Sequence, residues 1–288
     1  GVGAGVPNNG VQDGGELGLA RVPVRASTGD TTLTDGSGNY TLWIPFAGAA
    51  MAVTIVQTNL GGYLSVGGSA GSTGGSYARA SDTVSFTANS GNVYSGVNFA
   101  DVRDNALANN GQQTTGPGNV VFYAHTFTPG TGGSVSFGLA ATASPSGLAG
   151  FTQTLYQDSN CNGVLDAGEP PLALNAGVPV QANTPLCVIV KETVPGGAPQ
   201  GAIDVVTLTA TFSYTNASPA LGGSYDNTDI TTVGVASALA LVKSQSAGSV
   251  LPGANITYTI EYGNNSASPL STIRLRDATP AFTRFVSA

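Results

Sequence analysis

The side chains best suited to bind a ligand lie in one twelve-residue run of the 288-residue chain, between Asp158 and Glu169. Six positions of this run offer an oxygen atom at the spacing of a calcium-binding loop. In order along the run they are Asp158, Asn160, Asn162, Val164 (through its backbone carbonyl), Asp166 and Glu169. Gly163 permits the sharp bend in the middle, and Glu169 can close the site with two oxygens. Because all the donors are hard oxygens, the sequence predicts bound Ca²⁺ rather than zinc or copper.

The same residues also have a simpler interpretation. Asn, Asp and Gly in close succession form turns whose side chains accept hydrogen bonds from nearby backbone amides without any metal. The helices that usually flank such a calcium loop are absent from the pattern, so this loop is expected to lie between strands. We favour the calcium hypothesis because every specified position of the motif is filled.

A weaker version of the motif occurs near the N-terminus. In loop register, positions five, seven, nine and twelve are Asn9, Val11, Asp13 and Glu16. Positions one and three are Gly5 and Pro7, which carry no side-chain oxygen. About half of the donors are therefore lost, and the segment is either a second, weaker metal site or a structural turn.

The two cysteines of the chain are Cys161, inside the calcium-type loop, and Cys187, in a strand-like run. They form either one disulfide or a pair of reduced thiols. The composition is typical of proteins outside the cell, where two cysteines in one domain usually pair. A disulfide between Cys161 and Cys187 is therefore the favoured prediction.

The composition argues against catalysis and against nucleic-acid binding. His125 is the single histidine and lies in a strand pattern, where a structural role is expected. This disfavours His-based catalysis and any multi-His metal site. Nine basic and sixteen acidic residues give a net charge of −7, which provides no basic surface for phosphates. We therefore expect neither an enzyme nor a nucleic-acid-binding protein.

The elements that must position these residues are short strands. Only 9% of residues are charged and 41 are glycine, and apolar residues alternate with Thr and Ser at a period of two. This pattern predicts strands over 21–25, 39–44, 82–88, 134–139, 205–213 and 255–262. The apolar run at 43–56 is interrupted by Pro45 and is shorter than the ~20 residues of a membrane span. It is expected to form a strand, a loop and a second strand, with no membrane span in this segment.

Frequent Gly, Pro and Asn turns between short strands predict an all-β fold of tandem immunoglobulin-like or prealbumin-like β-sandwich domains. The predicted domains are 1–101, 102–235 (with the calcium loop and the disulfide) and 236–288. A polar spacer at 103–118 is expected to separate the first two. The first domain is expected to lack its first strand, and the third to lack its later strands.

The first domain resembles a known family through two phrases. NNGVQDGGELGLARVPV at 8–24 and TTLTDGSGNYTLWIP at 31–45 are similar to the B-type repeat of the serine-aspartate-repeat surface adhesins. The second phrase carries Asp35, Gly38 and Tyr40 at the positions of that family's strand-turn-strand. The resemblance covers about residues 1–101 and implies a small, often calcium-binding β-sandwich.

The last segment resembles a second family, the Ig-like repeat found in tandem in large bacterial and archaeal surface proteins. The matching positions are Lys243, Pro252-Gly253, Tyr258, Asn264, Asp277 and Pro280. This resemblance implies an immunoglobulin-like sandwich of the kind found in stalks, envelopes and fibres. Residues 102–235 look like a companion domain of such proteins.

These observations predict an extracellular structural protein, a subunit or repeat segment of a surface fibre, filament or sheath. Its expected partners are copies of itself, joined head to tail. The incomplete end domains have two explanations: neighbouring copies complete them by strand addition, or the sequence is one window of a longer tandem-repeat chain. The alternative function is an adhesin or stalk segment of a cell-surface protein that binds a host or matrix ligand.

Overall fold

The computed structural model describes residues 5–46, 48, 50–234, 239–245, 252–264, 269–280 and 282–287. These residues form eighteen strands and two single 3₁₀ turns, at Gly71–Thr73 and Arg79–Ser81. The all-β prediction is confirmed. None of the helical segments in the described ranges has the length and apolar character that a membrane crossing requires.

The first sandwich contains a five-stranded antiparallel sheet in the order β2-β1-β3-β6-β5. Its strands are β1 (Pro23–Ala26), β2 (Thr31–Leu33), β3 (Ala50–Gln57), β5 (Ser76–Ala78) and β6 (Thr83–Asn89). From Val53 in β3 and from Val84 in β6, every second side chain is buried, because neighbouring residues of a strand point to opposite faces. The resulting core is built on Val24, Val53, Val84 and Phe86.

The strand predicted at 39–44 is wrong. Residues 39–46 are joined to no sheet, and only the second half of the predicted strand-loop-strand, β3, is a strand. The alternation has a different cause here, because Tyr40, Leu42, Ile44 and Phe46 pack on the first core without pairing their backbone. A period of two reports which side chains face the core, and it does not require a hydrogen-bonded neighbour.

The second sandwich packs two sheets around a larger core. One sheet has the order β12-β14-β10-β8 and the other has the order β13-β11-β15-β16-β9. Their strands are β8 (Ala106–Ala108), β9 (Gly111–Thr115), β10 (Val120–Thr128), β11 (Gly133–Ser144), β12 (Thr152–Asp158), β13 (Val178–Val180), β14 (Leu186–Thr193), β15 (Ile203–Ser213) and β16 (Gly222–Val233). Phe127 lies at the centre of this core and contacts Phe137 and Phe212, with ring centroids 6.3 and 5.8 Å away.

The polar spacer predicted at 103–118 is not a linker. Residues 106–108 and 111–115 form β8 and β9, one in each sheet of the second sandwich. β9 runs parallel to β16, from Gly111 beside Asp229 to Thr115 beside Val233. Sequence reasoning missed β9 because GQQTT contains no large apolar side chain, and the strand is placed by its backbone ladder with β16.

A two-stranded ribbon of β4 (Tyr63–Ser69) and β7 (Asn98–Arg103) lies between the two cores. Val66 and Val102 on one face are buried in the core of the second sandwich. Phe99, on the other face, packs against the core of the first sandwich. The ribbon is therefore a wall shared by both sandwiches.

Polar contacts close the same junction. The side-chain amide of Asn8 donates to the carbonyls of Gly132 (2.8 Å) and Thr215 (3.0 Å). The guanidinium of Arg79 donates to the carbonyls of Pro219 and Ala220. Asn8 is 1% exposed, so this polar residue is buried within the junction.

The last described unit is a hairpin of β17 (Leu239–Gln245) and β18 (Tyr258–Asn264). Leu241 faces Tyr262 across the pair, and these two side chains are 55% and 64% exposed. Within the described ranges no third strand joins this sheet. A two-stranded sheet of this kind is at best marginally stable by itself in water.

Candidate metal centre

The calcium-type loop begins where β12 ends. Asp158 is the last residue of that strand, is paired with Cys187 of β14, and is 3% exposed. The chain then turns away from the sheet through exposed residues, and Tyr156 forms an isolated bridge with Pro171 on its return. The strand end therefore holds the first predicted ligand in place, and the other ligands follow it on a surface loop.

The first three side-chain donors accept hydrogen bonds from the backbone of the loop. The carboxylate of Asp158 accepts from the amides of Asn162 (3.2 Å) and Gly163 (2.8 Å). The Oδ1 atom of Asn160 accepts from the Asn162 amide at 3.0 Å, and Oδ1 of Asn162 accepts from the Val164 amide at 2.7 Å. Each of these oxygens has a further lone pair, which is the arrangement a cation ligand requires.

Asp166 and Glu169 complete the network. The side-chain amides of Asn160 and Asn162 both donate to Oδ2 of Asp166, at 2.9 and 2.8 Å. Glu169 accepts from the Ser159 amide through Oε1 and from the Asp166 amide through Oε2, each at 2.9 Å. The structure thus brings all five predicted side-chain donors into one cluster.

The donor set suits a hard cation. Across the described part of the chain, no three His, Cys, Asp or Glu side chains are close enough together to hold a metal. An ion in the loop would therefore depend on the amide oxygens of Asn160 and Asn162 and on the Val164 carbonyl, as well as on the carboxylates. Mixed carboxylate, amide and carbonyl oxygens are ligands that Ca²⁺ accepts and zinc does not favour.

The backbone of the loop turns at three residues with positive φ. These are Cys161 (55°), Gly163 (76°) and Gly168 (102°), at positions four, six and eleven. Cys161 is unusual here, since a residue with a Cβ atom rarely adopts the left-handed region. It is held there by a disulfide to Cys187, with the two Cα atoms 5.3 Å apart. The disulfide fastens the middle of the loop to β14.

The N-terminal segment repeats this geometry. Its positive φ angles fall at the same three positions, on Asn8 (61°), Gly10 (76°) and Gly15 (92°). Three hydrogen bonds also recur: Val11 N to Asn9 Oδ1 (2.9 Å), Asn9 Nδ2 to Asp13 Oδ2 (3.0 Å) and Asp13 N to Glu16 Oε2 (2.9 Å). The segment therefore has the fold of the calcium-type loop from position four onward.

The two loops differ where the donors are missing. With Gly5 at position one, the amide of Val6 donates to Oδ2 of Asp13 at 2.7 Å. In the other loop the equivalent amide, that of Ser159, donates to Glu169. Position four also differs, because the buried Asn8 side chain takes the place of the disulfide as the anchor to the second sandwich. One carboxylate oxygen of Asp13 therefore accepts a hydrogen bond from the backbone next to position one, where the other loop has the ligand Asp158.

His125 is buried among partners. Its Nε2 atom is 2.8 Å from Asp229 Oδ2, and its Nδ1 atom is 3.2 Å from the side-chain nitrogen of Asn227. The ring is 2% exposed. A general acid or base must reach its substrate, and both nitrogens of this ring are already occupied inside the sandwich.

Sequence reasoning missed a buried acidic cluster beside this histidine. Glu192, Asp204 and Asp229 are at most 1% exposed, and one oxygen each of Glu192 and Asp229 has no hydrogen-bond partner. Burial is the main cause that raises the pKa of Glu192 to about 7, and the neighbouring Asp204 and Asp229 contribute to that rise. The sequence did contain a signal that Glu192 is buried, because Glu192 lies on the same strand face as the core residues Val188 and Val190.

No family model and no curated protein matches the chain. Among solved structures it is similar to the major pilin subunit BcpA of Bacillus cereus, with 10% identity, a TM-score of 0.39, and coverage of 80% of this chain and 68% of the pilin. It is also similar to a family 123 glycoside hydrolase from Clostridium perfringens, with 9% identity, a TM-score of 0.33 and coverage of 46% of this chain. That match spans 28% of the hydrolase.

Proposed function

We propose that this chain is an extracellular structural protein, a subunit or repeat segment of a surface fibre or sheath, which assembles with copies of itself. The observation that carries the proposal is the hairpin β17–β18, which no third strand joins within the described ranges. Its apolar face exposes Leu241 and Tyr262, and Phe282 and Phe285 further along are 108% and 70% exposed. Apolar surface of this kind is stabilised when a second molecule covers it.

The junction between the sandwiches suits such a role. A load passing along a fibre crosses every joint between domains, and a flexible linker would absorb it by bending. Here the ribbon β4–β7 contributes side chains to both cores, and the Asn8 and Arg79 hydrogen bonds tie the same joint. The two sandwiches therefore share buried surface in place of a flexible linker.

The disulfide and the loop that it anchors support a location outside the cell. Disulfides persist in oxidising surroundings, and structural calcium sites are common in extracellular modules, where millimolar Ca²⁺ is present. The proposed ion would be held by Asp158, Asn160, Asn162, Val164, Asp166 and Glu169. It would link the end of β12 to the segment that returns at Pro170, and so stiffen the surface of the second sandwich.

The polar groups of the second sandwich favour structure over catalysis. His125 hydrogen-bonds to Asp229 on one side and to Asn227 on the other, and Asn227 is not a nucleophile. All three side chains are enclosed between the sheets. Substrate could not reach it without opening the core. The buried carboxylates thus lie inside the second sandwich and not in a cleft.

Electron microscopy and sedimentation of the purified full chain test the proposal. We expect fibres or head-to-tail oligomers whose length increases with protein concentration, because a head-to-tail contact that does not close into a ring continues to grow. Particles that stay monomeric at every concentration, with and without Ca²⁺, would overturn it. Monomers that bind a host or matrix protein would establish the adhesin alternative instead.

A further inference from the structure

Two aspartates lie where the first sandwich meets the ribbon β4–β7. Asp82 directly precedes β6 of the first sandwich, and its backbone carbonyl accepts a hydrogen bond from the Gln57 amide at 3.1 Å. Asp101 lies on β7, paired in the ribbon with Ser65 of β4. Asp82 is 7% exposed and Asp101 is half-buried. The two carboxylates therefore belong to different sheets, one on each side of the contact between the first sandwich and the ribbon.

A single serine hydroxyl serves both carboxylates. Ser65 interacts with Asp82 and with Asp101, yet a hydroxyl group has only one hydrogen to donate. Each carboxylate also accepts one hydrogen bond from another side chain. The Tyr77 hydroxyl donates to Oδ1 of Asp82 at 2.8 Å, and the Gln57 side-chain amide donates to Oδ2 of Asp101 at 2.9 Å. Two ionised carboxylates offer about eight acceptor sites, which is more than these donors fill.

The other charged groups nearby do not neutralise the pair. Arg79 lies in the 3₁₀ turn before Asp82, and its guanidinium donates to two carbonyls of the second sandwich. Arg103 follows Asp101 by two residues on β7 and stacks over a tyrosine ring of β4, 5.9 Å from its centroid. Tyr77 stays neutral, because burial and its hydrogen bond to Asp82 raise its pKa. Within the described residues neither aspartate forms an ion pair.

The charge of the pair changes near neutral pH. Burial raises the pKa of Asp101 to about 7, and the neighbouring Asp82 contributes to the rise. Burial also raises the pKa of Asp82. Well below pH 7 the Asp101 carboxyl keeps its proton, so at most one of the two groups is charged. Well above pH 7 both are charged, and like charges repel more strongly in a half-buried place than in water.

We propose that Asp82 and Asp101 form a pH-sensitive contact between the first sandwich and the ribbon, tight while the pair holds a proton and loose when both carboxylates are ionised. Loosening would widen the cleft of about 1380 Å³ between the sandwiches, whose lining includes Asp82 and Ser65. The opening is local, because Phe99 still packs the ribbon on the first core. The proposal goes beyond the fibre role and applies to a single chain, whether or not copies assemble.

Hydrogen exchange of the full chain, followed by mass spectrometry at pH 6 and pH 8, tests the contact. The raised pKa means that the closed state holds the Asp101 proton more tightly than the open state does. The stabilisation is therefore lost as pH rises through about 7. After correction for the faster chemical exchange at pH 8, we expect peptides covering β4 and β7 to open about ten-fold more often at pH 8 than at pH 6.

Asp101→Asn is the decisive variant. Asparagine keeps an acceptor oxygen for Gln57 and carries an N–H group that can donate to Asp82 in place of the proton. We expect opening of β4 and β7 in this variant to change by less than about two-fold between the two pH values. Asp226→Asn, which neutralises an exposed carboxylate on β16, should behave as the wild type.

The comparison also removes the contribution of the other titrating carboxyl, because Glu192 is present in the wild type and in both variants. If β4 and β7 of the wild type do not respond to pH, the proposal is wrong. An equal response in the wild type and in Asp101→Asn would overturn it as well, since the pH dependence would then arise elsewhere.

Discussion

Asp158 and Glu169 are the residues on which the calcium hypothesis depends most. They open and close the loop, and both accept hydrogen bonds from the loop backbone. Alanine at either position would therefore weaken the loop whether or not an ion binds. A conservative change that removes charge and keeps the acceptor oxygen separates the two effects.

We predict that Asp158→Asn with Glu169→Gln abolishes Ca²⁺ binding measured by titration calorimetry. At a Ca²⁺ concentration about 100 times the Kd, the bound ion stabilises the wild type by about 3 kcal/mol, so excess chelator should lower its Tm by several degrees. The variant should show no response to chelator. Asp226→Asn with Glu261→Gln, which neutralises two exposed carboxylates outside both loops, is the matched control and should keep the wild-type response. A wild type without binding heat and without a chelator effect would contradict the hypothesis.

The buried carboxyl group of Glu192 leads to a prediction about how stability depends on pH. Its pKa in the folded protein is raised from 4.5 to about 7, chiefly by burial. The folded state therefore binds this proton more tightly than the unfolded state does. The stabilisation is complete below pH ~4.5 and is lost as pH rises through about 7. Thr231 donates to one oxygen of Glu192 at 2.6 Å, and Asp204, Asp229 and Tyr123 are the other ionisable groups facing it.

We expect Glu192→Gln, which cannot ionise, to flatten this pH dependence. The free energy of unfolding of the wild type should fall between pH 5 and pH 8 by at most about 3 kcal/mol more than that of the variant. Glu261→Gln, on the exposed face of β18, should leave the wild-type curve unchanged. Denaturant melts at a series of pH values provide the measurement. Parallel curves for wild type and Glu192→Gln would show that the proton is not held in the folded state.

At the scale of secondary-structure elements, the ribbon β4–β7 couples the unfolding of the two sandwiches. Its two faces serve two different cores, so it cannot unfold with one sandwich and remain with the other. Residues 5–234 are therefore expected to melt in one cooperative transition. Independent domains on a flexible linker would instead melt in two.

Val102→Asp tests the ribbon. A carboxylate at this 5% exposed position has no partner in the core, and we expect a loss of about 3 kcal/mol or more, with one transition splitting into two. Val93→Asp places the same charge on a 92% exposed side chain and should change the stability by less than about 0.5 kcal/mol. Differential scanning calorimetry distinguishes the outcomes. Two separate transitions in the wild type would refute the shared wall.

At the scale of the whole molecule, charge and exposed apolar surface are distributed unevenly. The body formed by the two sandwiches is acidic, and the segment after it is basic and rich in exposed apolar side chains. Under the proposed function, we expect copies with such an arrangement to attract one another end to end. Assembly is therefore expected to weaken as ionic strength rises, because contacts between exposed charges are screened within about 10 Å at 0.1 M salt.

Local chemistry is what the sequence by itself determined about this protein. Strand periodicity predicted the all-β class, and the spacing of oxygen donors located the loop at 158–169, because both patterns depend on neighbours within a dozen residues. Contacts between distant residues were decided only by the tertiary structure. Three features join residues far apart in the chain: the carboxylates gathered around Glu192, the ribbon shared by two cores, and the pairing of β9 with β16, whose partners are 118 positions apart. Pairs of residues so far apart produce no periodic pattern in the sequence, because a long stretch of chain can bring its two ends together in many ways.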